Sequence, residues 1–168
     1  MKKRSYFRKT LLTLGIFVCT FQSAKFLTPQ NFYSTITAIF LLTITITDFE
    51  QQIIFDKILI PFAIIEILSV LHLNLNLTDH LLAGIFSGGI FLLLAVLSKG
   101  GIGGGDIKFI SCLGFCFGIE KTFSIVTFGM IFSGIAALIF ILFCGAKSKD
   151  LFAYAPYFAL TALYFLFS

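Results

Sequence analysis

Two aspartates are the residues of this chain best placed to do chemistry. Asp106 closes a glycine-dense run, Lys99-Gly-Gly-Ile-Gly-Gly-Gly-Asp106-Ile-Lys108, set between two strongly apolar segments, and Asp48 ends an earlier apolar segment. A carboxylate beside so much hydrocarbon is costly unless it is used. Two carboxyl groups that share one proton can hydrolyse a peptide bond. The ionised one takes a proton from water while the protonated one polarises the scissile carbonyl, and the roles then reverse. Like charges held close cannot both ionise easily, so such a pair titrates as one unit. At a helix start Asp106 would also meet free backbone N–H groups and the positive end of the helix dipole. Gly100, Gly101, Gly103, Gly104 and Gly105 permit positive φ and leave no side chain over the carboxylate, so an extended substrate backbone can come close. The competing reading is a flexible turn in which Asp106 only caps a helix; a second aspartate on the same side weighs against it.

The elements that must position this pair are set by composition. Of 168 residues 58% are hydrophobic, 12% are charged and 23 are phenylalanine, and the mean hydropathy is +1.03. A water-soluble domain of this size cannot hide that much apolar surface. The expected fold is all-α, a polytopic membrane bundle of about six to seven transmembrane helices near residues 10–27, 31–48, 57–73, 80–98, 107–119, 121–144 and 152–167. Residues 1–28 read as a basic cytoplasmic N-terminus with a first, anchor-like helix, and residues 29–168 as the membrane core. The fifth segment is short: about 13 residues rise only ~20 Å against a hydrocarbon core of ~30 Å. Asp106 is therefore expected below the membrane surface, in a cavity that water reaches. The net charge of +4 does not point to nucleic acid, because the basic residues fall in short inter-span segments. Cys19, Cys112, Cys116 and Cys144 lie in apolar stretches and form no CxxC, so neither a metal site nor a disulfide framework is expected.

Orientation follows from counting Lys and Arg on alternate sides. With a cytoplasmic N-terminus the inner side holds Lys2, Lys3, Arg4, Arg8, Lys9, Lys57, Lys99, Lys108, Lys147 and Lys149, and the outer side only Lys25 and Lys121. This puts the chain in a cell membrane with both aspartates on the cytoplasmic side, although nothing about the aspartates enters the count. The basic tail and the apolar run Leu11–Phe21 also fit a signal peptide. Cleavage after Ala24 would put Gln22 where a small residue is preferred, which favours an uncleaved anchor.

With these residues in view, Ile102-Gly103-Gly104-Gly105-Asp106-Ile107-Lys108 resembles the GxGD-x-K motif of the type IV prepilin leader peptidases, a family of intramembrane aspartyl enzymes. Asp48-Phe-Glu-Gln-Gln-Ile-Ile-Phe55-Asp56 has the spacing of that family's D-x(6)-P-[DN] pattern, with Phe55 in place of proline. Tyr154-Ala155-Pro156-Tyr157-Phe158 echoes a GPF-like turn, with Ala155 for glycine and Tyr157 for phenylalanine. The resemblance spans roughly residues 31–168. It implies that Asp48 and Asp106 are a catalytic dyad supported by Gly103, Gly104 and Gly105. It implies as partners the bilayer and, as substrates, pilin-like precursors cut at the cytoplasmic face just before their apolar helix. Members that also methylate the new N-terminus carry a cytoplasmic region with two CxxC pairs. This chain has neither, so cleavage without methylation is expected, with no cofactor and no S-adenosylmethionine. Which precursor is cut and in what oligomeric state stay open.

Other polar residues have plainer readings. Asp56 and Glu50 are expected as solvated loop acids, with binding of a basic leader as the alternative. Lys108, two residues past Asp106, points away from it on a helix and suits an interfacial anchor. Glu66, in mid-span, is a functional candidate by its place, and pairing within the bundle is the alternative. His72 and His80 fall on the outer side. Two other functions compete with a peptidase: a small proton- or cation-coupled transporter, which wants acids strung across the bilayer, and a non-cleaving relative that binds pilin-like helices.

Overall fold

A computed structural model of the chain describes residues 28–98, 101–144 and 154–168. The expected first helix near 10–27 and its basic tail, Cys19, Lys99, Gly100, Lys147 and Lys149 lie outside the described residues. The elements are α1 (Pro29–Gln51), α2 (Asp56–His72), α3 (Leu77–Leu97), α4 (Gly104–Cys144) and α5 (Ala155–Phe167).

Local chemistry sets their limits. Thr28 caps α1, accepting from the Asn31 N–H at 3.4 Å, and Pro29 follows at the first helical position, where a missing N–H costs nothing. Gln52 ends α1 in the left-handed conformation, with φ of 52°. Asp56 opens α2 with an acidic first turn, which suits the helix dipole.

Within α4 the helical geometry breaks at Gly118 (φ 73°, ψ 178°), a conformation in which glycine carries no steric penalty. Two contacts show that the chain turns back there. Thr122 donates to the Gly114 carbonyl, eight residues earlier, at 3.4 Å; a straight helix would separate them by about 12 Å along its axis. The Asp79 carboxylate, in the first turn of α3, accepts from the Ile119 N–H at 3.2 Å and so caps the second leg.

Cross-helix contacts give the topology. Tyr33 meets His72 and Thr37 meets Glu66, so α1 and α2 are antiparallel. Lys121 reaches the Phe165 carbonyl and Thr161 the Ile125 carbonyl, so α5 runs antiparallel to the second leg of α4. The first leg, 104–117, packs antiparallel to α3 through a seam of small residues. Ser87 donates to the Ile110 carbonyl at 3.1 Å and Ser111 to the Gly84 carbonyl at 3.0 Å. A Cβ on Gly114 would lie 2.5 Å from the Ala83 carbonyl oxygen, so only glycine allows this approach. Among lipid tails, helices associate by such close packing and interhelical hydrogen bonds rather than by escape from water. Phe62, Phe109, Ile110 and Ile125 are fully buried in the core, whereas Phe123 and Phe143 are 74% and 82% exposed on its outside. An apolar exterior over a polar-laced interior marks a helical membrane bundle.

Three helices, α1, α3 and α4, are long and apolar enough to cross a membrane. The expectation of six to seven is not met among the described residues. With 17 and 13 residues, α2 and α5 rise about 25 and 20 Å, short of the ~30 Å core. The segments expected at 107–119 and 121–144 are present as two helical legs that meet at Gly118 within residues 104–144.

Because Asp79 caps the second leg of α4, Asp79→Ala should lower stability by about 1 kcal/mol and Asp79→Asn, which keeps an acceptor, by less. Unfolding of the detergent-solubilised protein measures both; equal losses would remove the cap from this account.

Candidate active site

The end of α1 and the starts of α2, α4 and α5 meet at one end of the bundle. Asp48 lies one turn before the end of α1 and is only 4% exposed. The Ala155 N–H, at the first position of α5, donates to its carboxylate. The other oxygen, Oδ2, has no hydrogen-bond partner in the structure, alone among buried side-chain oxygens and nitrogens of the described residues. Leaving such an atom unsatisfied costs about 1–3 kcal/mol, so Oδ2 is the acceptor of this site with capacity to spare.

Asp106 is the third residue of α4, and its carboxylate receives the N–H of Gly103, the residue before the helix. That is the acidic half of a capping box, so the local role weighed against catalysis is real and coexists with the pairing. The Asp48 charge bears on Asp106 across the gap, so the two carboxylates are neighbours. Their helices do not pack together: among the described residues no Cα of α1 lies within 8 Å of a Cα of α4. Asp106 is half-buried and Gly103 and Gly104 are exposed, so the pair is open on the glycine side.

The glycines act differently from expectation. Gly118 is the one with positive φ among the described residues, so Gly101, Gly103, Gly104 and Gly105 are not there for left-handed geometry. Three of them allow close approach instead, Gly101 to Ser98 and the other two at the site itself. A Cβ on Gly103 would lie 3.0 Å from Asp106 Oδ2, and one on Gly105 would lie 3.1 Å from Ile54 Cβ. Gly104 faces open space, with nothing within 4 Å.

Lys108 does turn from Asp106, but it is not a free anchor. Its Nζ lies 2.8 and 3.0 Å from the two oxygens of Asp56, tying the start of α2 to the start of α4. Asp56 is thus solvated as expected, but it opens a helix and is ion-paired rather than free in a loop. Both side chains are more than half exposed, so the pair contributes no more than about 1 kcal/mol. Phe55, where the resemblance expects proline, has φ of −80°, within the range that a proline ring fixes. His72 and His80 sit at the opposite end; His80 is buried rather than interfacial, with Nδ1 2.6 Å from the Phe115 carbonyl oxygen. Sequence reasoning missed the Ala155–Asp48 contact, although the Tyr154–Phe158 motif marked the right place.

The family model of the type IV leader peptidase family matches residues 35–142, a stretch that contains both aspartates and the glycine run. No curated protein and no solved structure matches the chain.

The glycine geometry separates neighbours. Gly105→Ala, pressed on Ile54, should destabilise by about 1–3 kcal/mol, while Gly104→Ala should be neutral or slightly stabilising. Unfolding midpoints of the two variants decide; a Gly104→Ala loss equal to that of Gly105→Ala would contradict the placement.

Proposed function

The chain belongs to the type IV leader peptidase family, and from that membership we propose that it is an intramembrane aspartyl endopeptidase with Asp48 and Asp106 as its catalytic pair. The observation that carries this reading is the meeting of two carboxylates from separate helices, one with a buried oxygen that no protein group satisfies.

A water held between the carboxylates gives a proton to the ionised one as its oxygen bonds to the scissile carbonyl carbon. The protonated carboxyl donates to the carbonyl oxygen at the same time. The gem-diol intermediate then collapses: as the C–N bond breaks, the leaving nitrogen takes a proton from one carboxyl and a gem-diol hydroxyl returns its proton to the other, so one water is consumed and the pair regains its single proton. Ala155 N–H fixes one oxygen of Asp48 and leaves Oδ2 for the water. Gly103 N–H and the α4 N-terminus fix Asp106. Exposed Gly103 and Gly104 supply an open approach, and Gly103, Gly104 and Gly105 together form the supporting loop. The Phe55 and Ala155 departures fit this arrangement, since Phe55 keeps a proline-like φ and Ala155 is small enough to bring its N–H to Asp48.

The substrates in this reading are pilin-like precursors, cut at the cytoplasmic face ahead of their apolar helix and left unmethylated. The protein lies in the cell membrane with its N-terminus cytoplasmic. The distribution of charge along the chain supports that orientation.

Co-expression with pilin-like precursors tests the proposal by size shift. The wild type should process a precursor, and Asp48→Asn and Asp106→Asn should each slow processing by about 10²–10⁴-fold. Mass spectrometry should find the new N-terminus unmethylated. Full processing by either variant would remove the dyad, and no processing of several precursors by the wild type would favour a non-cleaving relative.

A further inference from the structure

Resting on the reading of Asp48 and Asp106 as a pair, we propose that Glu66 is a positioning residue that sets the relative depth of the two aspartate-bearing helices. The pairing geometry poses a problem that nothing at the site solves. α1 and α4 make no direct backbone contact, yet their carboxylates must agree in height to share a water. α2 packs against both. Near its middle Glu66 is 3% exposed, and its carboxyl group lies against side chains of both neighbours. The Thr37 hydroxyl of α1 donates to Oε1, and Cys116 of α4 lines the same cavity within reach of that carboxyl group.

The spacing along the two helices matches. Thr37 precedes Asp48 by eleven residues on α1, and Cys116 follows Asp106 by ten on the first leg of α4. At 1.5 Å per residue these are axial distances of about 16 and 15 Å. A carboxyl group set against both Thr37 and Cys116 therefore levels Asp48 with Asp106 at the far end of the same two helices. The Asp56–Lys108 pair cannot substitute for it, being exposed and joining α2 to α4 alone. α5 packs along α1 as well as α4, but its hydrogen bonds to α4 fall on the second leg, so they do not hold the leg that carries Asp106. In a bilayer an unpaired acid at this depth is expensive, so the contacts with both helices persist together.

The test reads register without relying on catalysis. In the full chain, Cys19, Cys112 and Cys144 are replaced by alanine and Cys116 by serine, which keeps a donor. Asp48→Cys and Asp106→Cys are then joined by a short bifunctional thiosulfonate in membranes. Cross-linking should be unchanged by Glu66→Gln, which keeps the acceptor for Thr37. It should fall severalfold in Glu66→Leu and measurably in Thr37→Val, a milder variant for use should the leucine protein fail to fold. In the otherwise wild-type chain, Glu66→Leu should cut kcat for precursor cleavage by about 10–100-fold with KM little changed, as for a small misplacement of reacting groups, and Glu66→Gln should restore it. Undiminished cross-linking in folded Glu66→Leu, or in Thr37→Val where the leucine protein is absent, would overturn the proposal. Lost cross-linking in a chain that cleaves no precursor would uphold the positioning role and count against the peptidase reading alone.

Discussion

Two acids lie near each other although the backbones of the helices that carry them stay apart, and most of this small bundle follows from that constraint. α1 and α4 stay more than 8 Å apart at every described Cα, which leaves a gap between the two backbones. The gap has to be spanned from its sides. α2 and α5 each pack against both helices, α2 holding Thr37 through Glu66 and α5 offering its first N–H to Asp48. Gly105 seats the start of α4 against Ile54, in the segment that joins α1 to α2. Each link is short-range and specific, as it must be where lipid supplies no hydrophobic drive for helices to associate.

The same environment explains how strictly polar groups are accounted for. Buried Glu66, His80, Ser87 and Thr161 all have partners, most of them on a neighbouring helix. Asp79 caps the leg that Gly118 turns back. Against that background the unsatisfied Oδ2 of Asp48 stands out. In a water-filled pocket it would be unremarked; in this bundle, where every other buried side-chain polar atom of the described residues is paired, it marks the acceptor with capacity to spare.

Much of this was legible in the sequence, and for identifiable reasons. Hydropathy and charge gave a helical membrane bundle, and the spacing of Asp48 and Asp106 on either side of two apolar helices foretold that they would share an end. The alternative fate considered for Glu66, pairing inside the bundle, is the one found. Less readable were features that depend on three dimensions. Gly103 and Gly105 are small to admit neighbours rather than to reach positive φ, and one sequence cannot tell those demands apart. The break at Gly118 was legible, since the apolar run there reads as two helices, but the capping of the second leg by Asp79 was not. The link from Ala155 to Asp48 joins residues more than a hundred positions apart and leaves no periodic trace.

The central claim is that Asp48 and Asp106 act as one unit, and non-additivity tests it most directly. Precursor cleavage would be measured for Asp48→Ala, Asp106→Ala and the double variant at matched protein levels. A shared water makes either aspartate useless alone, so the double variant should be no slower than the slower single variant. Losses that multiply in the double variant would mean two independent contributions, and would contradict the dyad.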